Sequence, residues 1–470
     1  MQLVTLRTGK VEKSVKRYNR GMLQGPLLGS ILTYSIPIIL ASILQLLFNA
    51  ADLVVVGRFR NSLSLGAVGA TGSITNLIVN LFIGFSVGAG VGVAHAIGSR
   101  DDKAIHRMVH TAIPLAVMSG VVLTIVGVTF AEDLLILMGT PKELLSLATL
   151  YMQVYFCGMV FTMVYNFCAA ILRAAGDTRG PLLYLSIAGV LNVVLNLLFV
   201  AALGMDVEGV ALATIISQVF SATLVVAALM RREDSCRLQL KKMRFNKEAM
   251  KKITALGLPA GIQVSMFSIS NVMIQSSINS FGPVFTSGNA AAGNLEGFVY
   301  VIMNAFHQTA LNYTGQNAGA GQYKRVVRIL WICMACVTVA GVVSGGLMYL
   351  GAPWLLQMYI TDSPQAIADA ILRMGYVCLP YFLFGMMDVT TGVLRGLGYS
   401  VMTMFISVLG ICVLRVAWVL TIFRIPQFHT PQWLFLSYPA SWILTFAVQL
   451  VALLWAYRRF AAKCRSMEAS

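Results

Sequence analysis

The apolar positions of this chain fall in long unbroken runs, far longer than strands and long enough to cross a bilayer as helices. They predict twelve spans. In the first half these are 30–56, 65–97, 108–131, 144–172, 181–203 and 208–230; in the second they are 253–281, 289–316, 327–351, 365–394, 398–423 and 433–458. A helix needs roughly 20 apolar residues to traverse the hydrocarbon core, whereas a membrane barrel would show alternating strands of about ten. The prediction is an all-α polytopic membrane protein with two six-helix lobes, 30–230 and 253–458. Residues 1–29 and 459–470 read as cytoplasmic tails and 231–252 as a basic linker. That linker, Arg231 to Lys252, carries nine basic residues and the helix-prone Lys247-Glu248-Ala249-Met250-Lys251-Lys252, and is expected to lie against the bilayer surface on the cytoplasmic side. The first 25 residues hold no cleavable apolar core, so the first span is expected to be the targeting signal.

The halves repeat. Pro37 in Ser-Ile-Pro-Ile matches Pro259 in Gly-Leu-Pro-Ala, and Leu172-Arg173-Ala174-Ala175-Gly176 matches Leu394-Arg395-Gly396-Leu397-Gly398, both at an offset of 222. Gly98-Ser99-Arg100-Asp101 matches Gly319-Ala320-Gly321-Gln322 at 221. Six spans per half is an even number, so both halves enter from the same side. They are parallel repeats related by an axis along the membrane normal, a transporter plan.

Composition sharpens this. Residues are 58% hydrophobic and 11% charged, against about 25% charged in soluble domains. The net charge of +16 raises the question of nucleic acid, but its placement answers it. Of 34 Lys and Arg, 28 fall on one side of the predicted membrane and 4 on the other (Arg58, Arg60, Lys142, Arg424), with Arg373 and Arg415 inside spans. Such asymmetry places both termini in the cytoplasm and assigns the basic excess to topology and anionic lipid. The eight cysteines lie mostly within spans; Cys333-x-x-Cys336 reads as packing, and no disulfide framework or metal-ligand spacing is visible.

Carboxylates inside spans are the candidates for chemistry. Such a group costs roughly 2.5 to 3.5 kcal/mol at a helix centre, a cost lowered by a proton, a cation or a cavity. Three qualify: Asp52, Glu296 and Asp388. Asp52 follows Gln45 and Asn49 at spacings that place all three on one helical face, although an interfacial Asp reaching water explains the position too. Glu296 shares the eighth span with Asn304, His307, Gln308 and Asn312. Asp388 lies seven residues before Arg395, and its repeat partner is Asn166. Two readings stand for these groups, a shared central cavity lined from both lobes or structural contacts such as Asp388 with Arg395. Asn192 and Asn196 share one face of the fifth span, and Thr214 and Gln218 lie in the sixth; amides and hydroxyls there serve a site or bind the bundle together. His95 and His307 read as satisfied histidines or proton relays. No Walker loop, His-Glu-x-x-His or Gly-x-Ser-x-Gly is present, so transport would draw on an ion gradient.

Taken in order, several of these pieces resemble the multidrug and toxic compound extrusion (MATE) family over essentially the whole chain. They are Asp52 through Arg58, the glycine landmarks after the second and eighth spans, Leu172 through Thr178, Asn192-Val193-Val194-Leu195-Asn196, and Gly315 through Gly321. The likeness is strongest to the bacterial branch with DNA-damage-inducible members. The resemblance implies a V-shaped arrangement in a bacterial plasma membrane, exporting amphipathic, often cationic, small molecules against H⁺ or Na⁺ without a cofactor. Monomer is the default. It also implies a first-lobe ion site at Asp52, Asn192, Asn196 and Thr214, able to take H⁺ or, alternatively, Na⁺. Candidate cavity residues are Gln45, Asn49, Asn166, Glu296, His307 and Asp388. The archaeal pattern has an acid at the position of Asn196, which tilts the expectation toward H⁺ on Asp52 alone. Another branch has an acid at the position of Phe267, so that second-lobe mechanism does not transfer. A lipid-linked sugar flippase of the same superfamily is the alternative; those relatives usually carry fourteen spans and a cationic cavity. A membrane-embedded enzyme is the alternative from another class.

Overall fold

A computed structural model describes residues 22–360 and 363–468, and among these the regular structure is helical throughout. The first three spans are α1 (Leu27–Phe59), α2 (Ser62–Gly98) and α3 (Asp102–Thr129), followed by the short α4 (Ala131–Leu137). The fourth span is broken into α5 (Lys142–Cys157) and α6 (Met159–Ala174), bent by 49° about Gly158. The fifth, α7 (Arg179–Asn196), runs on into a π-helical stretch, Leu197–Ala202, and α8 (Val207–Met230) is the sixth. The seventh to ninth are α9 (Lys247–Asn279), α10 (Pro283–Gly319) and α11 (Tyr323–Gln357). The tenth is again broken, α12 (Pro364–Val377) and α13 (Tyr381–Gly396) meeting at 44°. The eleventh joins α14 (Ser400–Ser407), a π-helical stretch Val408–Val413 and α15 (Leu414–Leu420); α16 (Pro431–Glu468) is the twelfth.

Among the described residues nine helices are long and apolar enough to cross a membrane, and the two bent pairs make eleven. The remaining expected span is α10. It carries buried Asn289, Glu296, His307, Asn312, Gln316 and Asn317, and α11, α12 and α13 pack around it. Most of its surface meets protein, so it has less need of an apolar exterior. By contrast α11 exposes Val339, Val343, Leu347, Leu350 and Trp354, a stripe at helical spacing suited to acyl chains.

The chain forms two compact units, and the divisions fall inside helices. One unit contains Ile36–Ile262; the other contains Gly25–Ser35 and the residues from Gln263 onward. The changeovers lie beside Pro37 and Pro259, the two prolines matched by the repeat. Within the first unit, α2 and the start of α9 meet backbone to backbone. A Cβ on Gly84 would stand 2.3 Å from the Gly261 nitrogen, and one on Gly88 would stand 2.2 Å from the Ile253 carbonyl. Side chains larger than hydrogen would force these helices apart.

The repeat is explicit at the helix ends. Gly176 and Gly398 are left-handed, with φ of 91° and 97°, and each is followed by the same crossed bonds. Asp177 N–H donates to the Leu172 carbonyl at 2.9 Å, and Tyr399 N–H to the Leu394 carbonyl at 2.9 Å. Arg100 and Gly321, matched at offset 221, repeat the same closure after α2 and α10, with φ of 54° and 69°.

The linker between the two halves is an ordered segment. It is built onto α3: Gln239 N–H donates to His110 Nε2 at 3.0 Å, Arg244 N–H to the His110 carbonyl at 3.3 Å, and Asn246 N–H to Thr111 Oγ1 at 3.2 Å. Within it Leu238 and Cys236 are buried. Asn246 Oδ1 accepts from Ala249 N–H at 3.0 Å and caps α9, so Lys247–Lys252 forms the first turns of that helix.

Candidate functional site

In the first unit three helices bring together the residues expected to form an ion site. Asp52 lies in α1, Asn192 and Asn196 one turn apart in α7, and Thr214 in α8. Asn196 Nδ2 donates to Asp52 Oδ1 and also lies 3.3 Å from Asn192 Oδ1. Asn192 Nδ2 donates in turn to Thr214 Oγ1 at 3.4 Å, and that hydroxyl donates to the Val210 carbonyl at 3.0 Å. The two amides are enclosed, Asn196 fully buried and Asn192 6% exposed, while Asp52 and Thr214 are half-buried. Among the described residues no Lys or Arg lies within ion-pair distance of Asp52, and Asn196 Oδ1 is buried without a hydrogen-bond partner. Gln218, one turn beyond Thr214, likewise has a buried oxygen without a partner.

Other expected residues are placed elsewhere. Gln45 and Asn49 are exposed, while Asp52 is half-buried, so shared helical spacing does not bring them into that polar chain. Asn166 donates to the Thr162 carbonyl of its own helix at 2.8 Å. His95 is half-buried near the end of α2.

The second unit holds two further polar groups. His307 Nδ1 lies 2.8 Å from the Asp388 carbonyl and 3.1 Å from Asp388 Oδ1. Both neighbours are acceptors, which fixes the ring proton on Nδ1. The contact considered between Asp388 and Arg395 is replaced by this one; Arg395 Nη2 donates to Gln263 Oε1 at 2.7 Å.

Glu296 accepts from Arg373 twice, Nε to Oε1 and Nη2 to Oε2, each at 2.8 Å. The remaining Arg373 arm donates to Asn289 Oδ1. This pair lines a cavity of about 570 Å³ within the second unit. Arg415, 4% exposed, lines it too, its Nε on Ser441 Oγ at 2.9 Å and its guanidinium 4.2 Å above the Tyr438 ring. The aromatic wall comprises Phe267, Tyr300, Tyr381, Phe384, Tyr438 and Trp442. Arg373 and Arg415 are the two cations inside spans, and the sequence alone assigns them no site. Tyr438 and Trp442, four residues apart on one helix, were the signal that an aromatic surface faced them. Among the described residues no group of three or more His, Cys, Asp or Glu side chains is arranged to hold a metal ion.

Comparison with known proteins agrees with this architecture. The MatE family pattern matches residues 37–198 and again 259–420, beginning at the two matched prolines and reproducing the 222-residue offset. The probable multidrug resistance protein YpnP of Bacillus subtilis is 27% identical over 393 residues, covering 83% of this chain and 87% of that protein. The probable multidrug resistance protein YoeA of the same organism is 25% identical, covering 92% and 93%. A crystal structure of MATE in the bent conformation superposes with a TM-score of 0.85 at 22% identity, covering 96% of this chain and 99% of the other. Twelve helical spans in two repeated halves, each half matched by the same family pattern, show that this chain belongs to the MatE family of membrane transporters.

Proposed function

We propose that this protein is a secondary antiporter that exports amphipathic small molecules, cationic ones among them, across the bacterial plasma membrane by alternating access, in exchange for H⁺. Both termini are assigned to the cytoplasm on the charge asymmetry of the loops. The observation that carries the reading is the contact between Asp52 and the buried Asn196. A carboxylate in a helical span, without a cationic partner, is stabilised by a proton or by a cation.

Asn196 suits both protonation states of its neighbour. With Asp52 charged, its amide nitrogen donates to the carboxylate, as here. With Asp52 protonated, the amide turned about its last bond presents its oxygen to the acid O–H, at no cost in charge. An acid at residue 196 would instead bring a second negative charge. Loading and release of one proton would therefore re-pair α1 with α7 and α8, and this is the proposed coupling step.

A second reading, Na⁺ in place of H⁺, is favoured by the partnerless Asn196 oxygen, because Asp52, Asn192, Asn196 and Thr214 together offer hard oxygen ligands. The discriminating experiment is efflux of a fluorescent lipophilic cation from proteoliposomes, with pH and Na⁺ gradients imposed separately. Efflux driven by ΔpH and abolished in a folded Asp52→Asn variant is the expected result. Efflux that requires Na⁺ would replace the proton reading, and undiminished efflux by Asp52→Asn would sink both.

A further inference from the structure

The cavity of the second unit has a charge pattern that the coupling scheme does not use. Its one carboxylate, Glu296, has both oxygens occupied by Arg373. Arg415 has no such partner: among the described residues no carboxylate lies within 4.0 Å of its guanidinium. The cavity therefore carries one net positive charge, at a buried position, among aromatic rings.

We propose that this cavity is a binding site for an aromatic monoanion, a carboxylate or sulfonate whose charge meets Arg415 and whose ring lies along Tyr381, Phe384, Tyr438 and Trp442. The geometry of Arg415 selects this class. Tyr438 covers one face of the guanidinium at 4.2 Å, and Ser441 takes Nε. That leaves the terminal N–H groups, which lie in the guanidinium plane and form a fork matching a planar carboxylate. Asn271, Asn294 and Tyr300 line the cavity and are exposed, whereas Glu296, Arg373 and Arg415 are buried, so a ligand enters at the former and reaches the charges beyond. At about 570 Å³ the space is of the size that holds drug-like molecules. A lipophilic cation would find no open carboxylate here and would meet the charge of Arg415. A diphosphate would bring more negative charge than one guanidinium balances.

The proposal rests on the transporter reading only in calling the bound anion cargo; binding requires no gradient. The test is isothermal titration of the full-length protein in detergent with 2-naphthoate, 2-naphthamide and (2-naphthyl)methylammonium, which share a ring and differ in charge. The naphthoate binds at least tenfold more tightly than the other two. In Arg415→Gln its affinity falls to that of the amide, and Arg415→Lys, which keeps charge but not the fork, retains part of the preference. Equal or tighter binding of the ammonium, or an unchanged naphthoate affinity in a folded Arg415→Gln, overturns the proposal.

Should Arg415→Gln fail to fold, photolabelling of the native protein with 4-benzoylbenzoate decides. Label on residues 431–449, displaced by naphthoate and not by the ammonium, is expected; label elsewhere, or indifferent to naphthoate, overturns it. Loss of gradient-driven efflux with naphthoate binding intact would refute the antiport reading alone. Efflux without naphthoate binding would refute this one alone.

Discussion

Arg373 of α12 and Glu296 of α10 meet as a two-point pair, with two N–H···O contacts of 2.8 Å each, and a third arm of the arginine rests on Asn289. Removing one member of a buried pair leaves the other charge without compensation, which costs about 3 to 5 kcal/mol. Glu296→Gln is therefore expected to lower the thermal midpoint sharply. The double variant Glu296→Leu with Arg373→Met is expected to recover most of the loss, because it leaves no buried charge. Thermal unfolding of the purified proteins checks this, and a double variant no better than Glu296→Gln would show that the pair does more than neutralise itself.

The repeat makes a prediction at two helix ends. Arg100 and Gly321 occupy matched left-handed positions, but only one of them is glycine. A side chain in that conformation costs about 1 to 2 kcal/mol. Gly321→Ala should destabilise by roughly that amount. Arg100→Gly should relieve strain, offset in part by the greater freedom of glycine in the unfolded chain, for a net gain of about 0.5 kcal/mol. Equal midpoints for Gly321→Ala and the native protein would contradict the closure seen here.

A third prediction concerns the linker. Burial pushes the Cys236 thiol up to about 12, and the Asp234 carboxylate beside it acts in the same direction. Only the thiolate attacks an alkylating reagent. Against a free thiol near 8.5, alkylation of Cys236 by iodoacetamide at pH 8 should be slower by about a thousandfold or more. The rate should rise about tenfold per pH unit toward pH 11, as the thiolate fraction grows. Peptide mass spectrometry after timed labelling measures this, and labelling at the rate of a free thiol would mean that the linker is not docked on α3.

Much of the fold was legible because its causes are local. Apolar runs of membrane length identify spans whatever they pack against, and the glycines that end α6, α10 and α13 announce their closures through conformational freedom alone. The span that local hydropathy understates is α10, because most of its surface meets protein. The sequence still places a span there, at 289–316. The two bends are marked, by Gly158 and by Pro380, but the two π-helical stretches carry no comparable mark. They are adjustments to neighbours, and neighbours are not written at those positions.

The candidate sites divide in the same way. Periodicity placed Asn192 and Asn196 on one face of a helix, and the cost of a carboxylate in hydrocarbon singled out Asp52, Glu296 and Asp388; both follow from the sequence itself. Which partner each received was decided only by tertiary structure. Asp52 reached Asn196 across 144 residues and Glu296 reached Arg373 across 77, while Gln45 and Asn49, close to Asp52 on its own helix, stayed outside. Helical spacing determines which side chains share a face, but the packing of whole helices determines what that face meets. The charge left uncompensated at Arg415 is therefore a property of the folded second unit.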